Sequence, residues 1–137
     1  MKYLDASAVL RLLFGEPGVT VSLADGDAAV ASELVEVEAF RALDRERLLG
    51  RLDDREAARK RKELAEMVEM LDLVPIDRAV IDRAKSAFGV NVRALDAIHV
   101  ATAEVLAAES GLDVEFWTHD ERQGIAAVAR GFAVKGL

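Results

Sequence analysis

Short apolar runs rich in Val, Leu and aromatics alternate along this chain with longer segments of helical period, and nothing else constrains its fold as tightly. Strand-like runs separated by helical patterns imply an α/β fold, in which helices carry the chain back so that the strands lie parallel. Lys2–Leu4 reads as the first strand, followed by a helix from about Ser7 to Phe14 that Gly15 and Pro17 stop. Ala28–Ala31 is a second strand, leading into a helix from about Glu33 to Leu49, and Asp53–Leu71 is a further helix. Leu34 and Val37, then Leu64, Met67, Val68 and Leu71, give these helices apolar faces. Leu73–Ile76 gives a third strand, and Arg78–Phe88 a helix whose N-cap is Asp77. Arg93–Glu109 is a strongly apolar helix ended by Gly111. Glu115–Thr118 and Phe132–Lys135 read as the last strands, with a helix from Glu121 to Arg130 between them.

A length of 137 residues suits a single domain, 1–137, able to bury a real core, and 52% hydrophobic residues argue against disorder. The longest stretch without charge, Pro17 to Ala24, is eight residues, far short of the roughly 20 that span a bilayer. The first residues lack a basic segment followed by an apolar run and a cleavage site, so no signal peptide is expected, and without Cys there is neither a disulfide nor a thiolate ligand or nucleophile. A soluble, cytoplasmic protein with no membrane partner is expected. The net charge of −7 sits awkwardly with nucleic acid. Between Arg41 and Lys62, however, nine basic residues face five acids, a surplus of +4 that leaves −11 for the remainder. Such a stretch is either a phosphate-holding arm or a solvated helix laced with ion pairs.

Four acids stand in apolar or strand-end settings: Asp5, Glu38, Asp96 and Asp120. In a parallel sheet, functional groups gather beyond the carboxyl ends of the strands. Asp5 follows the first strand and Asp120 the fourth, while Glu38 and Asp96 lie on helices that could project toward the same edge. Carboxylates that approach one another in a poorly solvated place stay ionised only if a cation neutralises them. Each acid also has a purely structural explanation. Asp5 suits an N-cap, and Asp120 with Gln123 has capping-box spacing. Glu38 could pair with Arg41 at i+3, and Asp96 with His99 at i+3. Asp96 is the hardest to explain this way, because its helix is too apolar for a surface element.

His99 reads as a packed helix residue and His119 as a neighbour of the site. Two isolated His without Cys do not make a zinc site. Ser7 and Thr118 each lie two residues from an acid and could orient a carboxylate or a water. Gly-rich phosphate loops and nucleophile elbows are absent.

Tyr3-Leu4-Asp5-Ala6-Ser7-Ala8, Ser32-Glu33-Leu34 with Glu38 and Arg41-Ala42-Leu43, the run from Arg93 to Ala103, and Thr118-His119-Asp120 together resemble PIN-domain ribonucleases. Within that family the resemblance is to VapC-type toxins of toxin–antitoxin pairs, and it runs from Lys2 to about Val134. It implies a three-layer PIN-like fold with a parallel sheet of four to five strands flanked by helices. Asp5, Glu38, Asp96 and Asp120 match its metal-binding acids, and Ser7 and Thr118 its supporting hydroxyls; Ala6 stands where many relatives have Thr. It further implies Mg²⁺ or Mn²⁺, a homodimer, and a small VapB-like antitoxin that blocks the site.

The function expected is therefore a metal-dependent endoribonuclease that cleaves RNA phosphodiester bonds. Asp5 and Asp96 are the foremost direct ligands, Glu38 is a ligand or a water-orienting base, and Asp120 acts through water. Arg93 and Arg41 are candidates for phosphate binding. The rivals are a non-catalytic RNA- or protein-binding module and a phosphatase with Asp5 as nucleophile. The latter is weakened by Ser7 standing where a second acid is usual.

Overall fold

The computed structural model describes residues 1–24 and 26–137. Its elements run β1 (Lys2–Leu4), α1 (Ala6–Phe14), β2 (Ala29–Ser32), α2 (Leu34–Leu48), α3 (Asp54–Glu69), β3 (Asp72–Val74), α4 (Arg78–Ala84), α5 (Ala94–Ser110), β4 (Glu115–Trp117), α6 (Glu121–Ala129) and β5 (Ala133–Lys135). The five strands form one sheet in the order β3-β2-β1-β4-β5, and every pairing is parallel. Parallel strands need crossovers, which the helices between them supply.

Two apolar clusters flank the sheet and define three layers. Leu4 from β1 joins Val9, Leu13, Val35, Leu43, Leu64 and Val68 from α1, α2 and α3 on one side. Tyr3, its immediate neighbour, joins Phe88, Val100, Phe116 and Ala127 on the other. Successive side chains in a strand point to opposite faces, so a central strand covered on both sides has no polar position to spare. All three β1 residues are buried accordingly. Even Lys2 is only 6% exposed, its ammonium donating to the Ser22 carbonyl at 3.1 Å. The Tyr3 ring stacks on Phe116 at 5.0 Å between centroids.

Helix termini follow local chemistry. Asp53 and Glu56 form a reciprocal capping box at the start of α3, Asp77 caps α4 through the Val80 N–H, and Gly111 ends α5 in the left-handed conformation at φ 67°. Sequence and structure differ most at α4, which stops at Ala84 rather than continuing to Phe88. Phe88 is nonetheless buried in the second cluster, under the Arg130 guanidinium at 4.1 Å, so it contributes its apolar area from outside the helix. β2 lies one residue later than the sequence reading, and β3 starts one residue earlier and ends two earlier. No helix among the described residues is long and apolar enough to cross a membrane.

Candidate active site

The strand order reverses around β1, so its carboxyl end opens between β2 and β4 at the place where such sheets hold ligands. Asp5 occupies that end and is 1% exposed. It caps α1, accepting the Ala8 N–H at 2.8 Å. It also accepts the Thr118 hydroxyl at 2.6 Å and the Ser7 hydroxyl at 2.7 and 2.9 Å to its two oxygens. The capping role read from the sequence is therefore real, but it accounts for only one of these donors. Burial pushes the Asp5 carboxyl above its ordinary 3.8, while the Thr118 and Ser7 hydroxyls and the Ala8 N–H oppose the rise. Ser7 in turn accepts the His119 N–H at 2.7 Å, which stitches the loop after β4 to the first turn of α1.

Glu38 stands on α2 but does not pair with Arg41, whose guanidinium instead holds Asp44. Its Oε2 lies 2.6 Å from His99 Nε2 on α5. The other ring nitrogen, Nδ1, meets the Tyr3 hydroxyl at 3.0 Å. His99 is 1% exposed, so the packed-helix reading holds, yet the ring also carries a contact across the molecule. This use of both nitrogens leaves neither for Asp96, contrary to the i+3 pair weighed from the sequence. The only sequence signals for the His99 contact are a histidine on a helix otherwise almost wholly apolar and the chain's single Tyr in the first strand.

Asp96 sits in the first turn of α5, where helix N–H groups favour an anion. Its carboxyl is nevertheless raised above the ordinary 3.8, first by burial, then by the charges of Asp120 and Glu38, with His99 and Arg93 opposing. Three of the four acids thus share one field. Asp120 caps α6, accepting from Arg122 N at 2.8 Å and Gln123 N at 3.2 Å through the same oxygen. The reciprocal half of the expected capping box is made otherwise, because the Asp120 N–H donates to Thr118 Oγ1 at 3.0 Å. Thr118 therefore touches both strand-end acids.

Asp5 and Asp120 stand just past the carboxyl ends of β1 and β4, and Asp120 and Glu38 are near enough to act on Asp96, but the four acids do not close into a cage. Among the described residues, no three Asp, Glu or His side chains stand near enough together to hold a metal as they are. The donor set still fits a hard divalent cation, being dominated by carboxylate and hydroxyl oxygens. Positive charge there would relieve the elevated proton affinities of Asp5 and Asp96.

The proposed phosphate-binding residues are less engaged. Arg93, exposed, precedes α5 and acts on Asp96 through its charge. Arg41 is exposed and occupied by Asp44. Much of the basic stretch is likewise paired, as the alternative sequence reading had it: Arg47 with Asp44 and Asp54, Arg51 with Glu46, Lys60 with Glu63, Lys62 with Glu66.

An α/β sheet with acids converging beyond its central strand is an arrangement suited to phosphate chemistry. The PIN domain model matches residues 2–130, and the chain belongs to the PIN domain family. It is 37% identical to Ribonuclease VapC46 of Mycobacterium tuberculosis, over 96% of this chain and 94% of that protein. It is 32% identical to Ribonuclease VapC47 of the same species, over 89% and 86%. Among solved structures, PAE2754 from Pyrobaculum aerophilum superposes with a TM-score of 0.70 at 20% identity, covering 97% of this chain and 81% of that one. A toxin–antitoxin complex from Klebsiella pneumoniae gives a TM-score of 0.59 at 14% identity, covering 99% and 97%. These two similarities establish the fold alone.

Proposed function

We propose that this chain, acting as one PIN domain, is a Mg²⁺- or Mn²⁺-dependent endoribonuclease and the toxin of a VapBC-type pair in the cytoplasm. The observation that carries the reading is Asp96: a half-buried carboxylate beside two others, with burial and like charge both working against its ionisation. A protein stable without a ligand gains nothing from that arrangement, whereas a cation-binding one does. Family membership and relatives named as ribonucleases supply the substrate class.

Asp5, Glu38, Asp96 and Asp120 would hold the ion. When bound, it supplies positive charge for the phosphoryl oxygens and for the departing 3′ oxygen. Ser7 and Thr118 keep the Asp5 carboxylate from rotating by donating to its two oxygens. Glu38 has Oε2 committed to His99, so Oε1 is the atom left to bind the ion or take a proton from the attacking water. Arg93, about one turn before Asp96, would meet a phosphate, with Arg41 as a second candidate. A homodimer and a VapB-like antitoxin that occludes the acids complete the proposal.

A second reading also has an observation in its favour. Asp5 and Asp120 have local capping partners and Glu38 a tertiary one, and the acids are not gathered at ligating distance, as expected of a non-catalytic RNA- or protein-binding module. The experiment is RNA cleavage with Mg²⁺ or Mn²⁺ by pure wild type, Asp5→Asn and Asp96→Asn, each checked for folding. Metal-dependent cleavage by the wild type that both variants lose supports the nuclease. Undiminished cleavage by the folded variants refutes the assigned roles, and a wild type without a Mn²⁺-dependent rise in melting temperature favours the binding module.

A further inference from the structure

Glu38 is the one acid of the cleft held by a side chain from another helix, and that side chain is buried. His99 reaches it from α5, the helix that also carries Asp96 three residues earlier. The ring is 1% exposed, and both of its nitrogens have partners: Glu38 Oε2 at 2.6 Å and the Tyr3 hydroxyl at 3.0 Å. An ionised carboxylate can only accept, so Nε2 carries the proton and donates it. Nδ1 meets the Tyr3 hydroxyl, which can donate or accept, so this second contact anchors the ring with Nε2 toward Glu38. Tyr3 is itself immovable, fully buried in the central strand and stacked on Phe116 at 5.0 Å. The result is a chain of contacts running from the sheet through α5 to the tip of a side chain on α2.

We propose that His99 is a positioning residue for Glu38, and that it holds Oε2 so that Oε1 faces the cleft beside Asp96. This rests on the reading of the cleft as a divalent-metal site. Glu38 has three rotatable side-chain bonds and is a quarter exposed, so without His99 its carboxylate would be free to turn outward into water. A simple space-filling role for His99 would not require a donor at Nε2, nor a tyrosine hydroxyl at Nδ1. Partners of this kind, one bond removed from a ligand, typically change metal affinity about 10- to 100-fold when removed.

The test compares wild type with His99→Leu, which keeps bulk but removes both contacts, with His99→Gln, whose amide offers a donor and an acceptor, and with Tyr3→Phe. Crystal structures without metal show where the Glu38 carboxylate lies, and titration with Mn²⁺ followed by melting temperature and calorimetry gives apparent affinity. In His99→Leu we expect Glu38 to leave its place and Mn²⁺ affinity to fall about 10-fold or more, with His99→Gln recovering most of the loss. Tyr3→Phe gives a smaller loss in the same direction. If His99→Leu merely lowers the melting temperature while Glu38 and the Mn²⁺ affinity stay at wild-type values, His99 is only a core residue and the proposal is overturned. Should His99→Leu prove unfolded, the Tyr3→Phe and His99→Gln pair decides by the same two readouts. A wild type with Glu38 placed as described but with no Mn²⁺ binding overturns the metal-site reading itself, and with it the consequence for affinity drawn here.

Discussion

Replacing Thr118 by Val leaves the shape of a fully buried side chain almost unchanged while deleting its hydroxyl. Two contacts disappear together: the 2.6 Å donation to Asp5 and the 3.0 Å acceptance from the Asp120 N–H. A hydrogen bond to a charged group contributes about 1.5–3 kcal/mol. For 137 residues, an unfolding entropy of about 2.1 cal/mol/K per residue converts that loss to a drop of roughly 5–10 °C in melting temperature. The loss carries a pH signature. The Asp5 carboxyl already lies above 3.8 in the folded protein because of burial, and the Thr118 O–H opposes that rise by favouring the anion. A raised carboxyl binds protons more readily when folded than when unfolded. Stability linked to Asp5 therefore falls as pH climbs through the folded-state value. Without Thr118 that value rises further, so the deficit of Thr118→Val widens with increasing pH and narrows once Asp5 is protonated in both proteins. Thermal melts in chelator near neutral pH and near pH 4, with Thr118→Ser as the hydroxyl-bearing control, measure this. A Thr118→Val protein that melts with the wild type at neutral pH, or whose deficit does not depend on pH, would refute the account of Asp5.

Two further substitutions separate charge from architecture. Asp96→Asn removes a carboxylate that Asp120 and Glu38 disfavour, so in chelator at neutral pH it should melt at or above the wild-type temperature while losing any stabilisation by Mn²⁺; a lower melting temperature in chelator contradicts the repulsion. Asp53→Ala breaks the capping box of α3, whose residues are none of the site's acids or hydroxyls. It should cost about 1 kcal/mol by urea denaturation and leave RNA cleavage per folded molecule unchanged.

Periodicity and turn residues are enough to place every strand and helix in order, because the short apolar strands alternate with longer segments of helical period. The end of α4 was misread because Phe88 keeps the helical pattern of burial after the backbone has left the helix. Strand order was only implied: nothing local to Lys2–Leu4 says that it lies between β2 and β4. The acids at the strand ends were legible as isolated charges in apolar surroundings. Their partners were not, since Tyr3, Glu38 and His99 come from three separate elements. Spacing arguments reach only neighbours on one helix, so they offered Arg41 and Asp96 where tertiary packing chose His99 for Glu38. The basic stretch follows the second of its two sequence readings in part, since Arg41, Arg47, Arg51, Lys60 and Lys62 pair with nearby acids.

Because β1 lies innermost, the earliest-made strand is among the last to have both its neighbours. Asp5 leaves the ribosome long before Thr118, which lies 113 positions later; at about 5–20 residues per second the interval is roughly 6 to 23 s. Until then the Asp5 carboxylate has the Ser7 hydroxyl and the Ala8 N–H but lacks the Thr118 donor. The arrangement of donors around Asp5 therefore cannot be complete until residue 118 has been made.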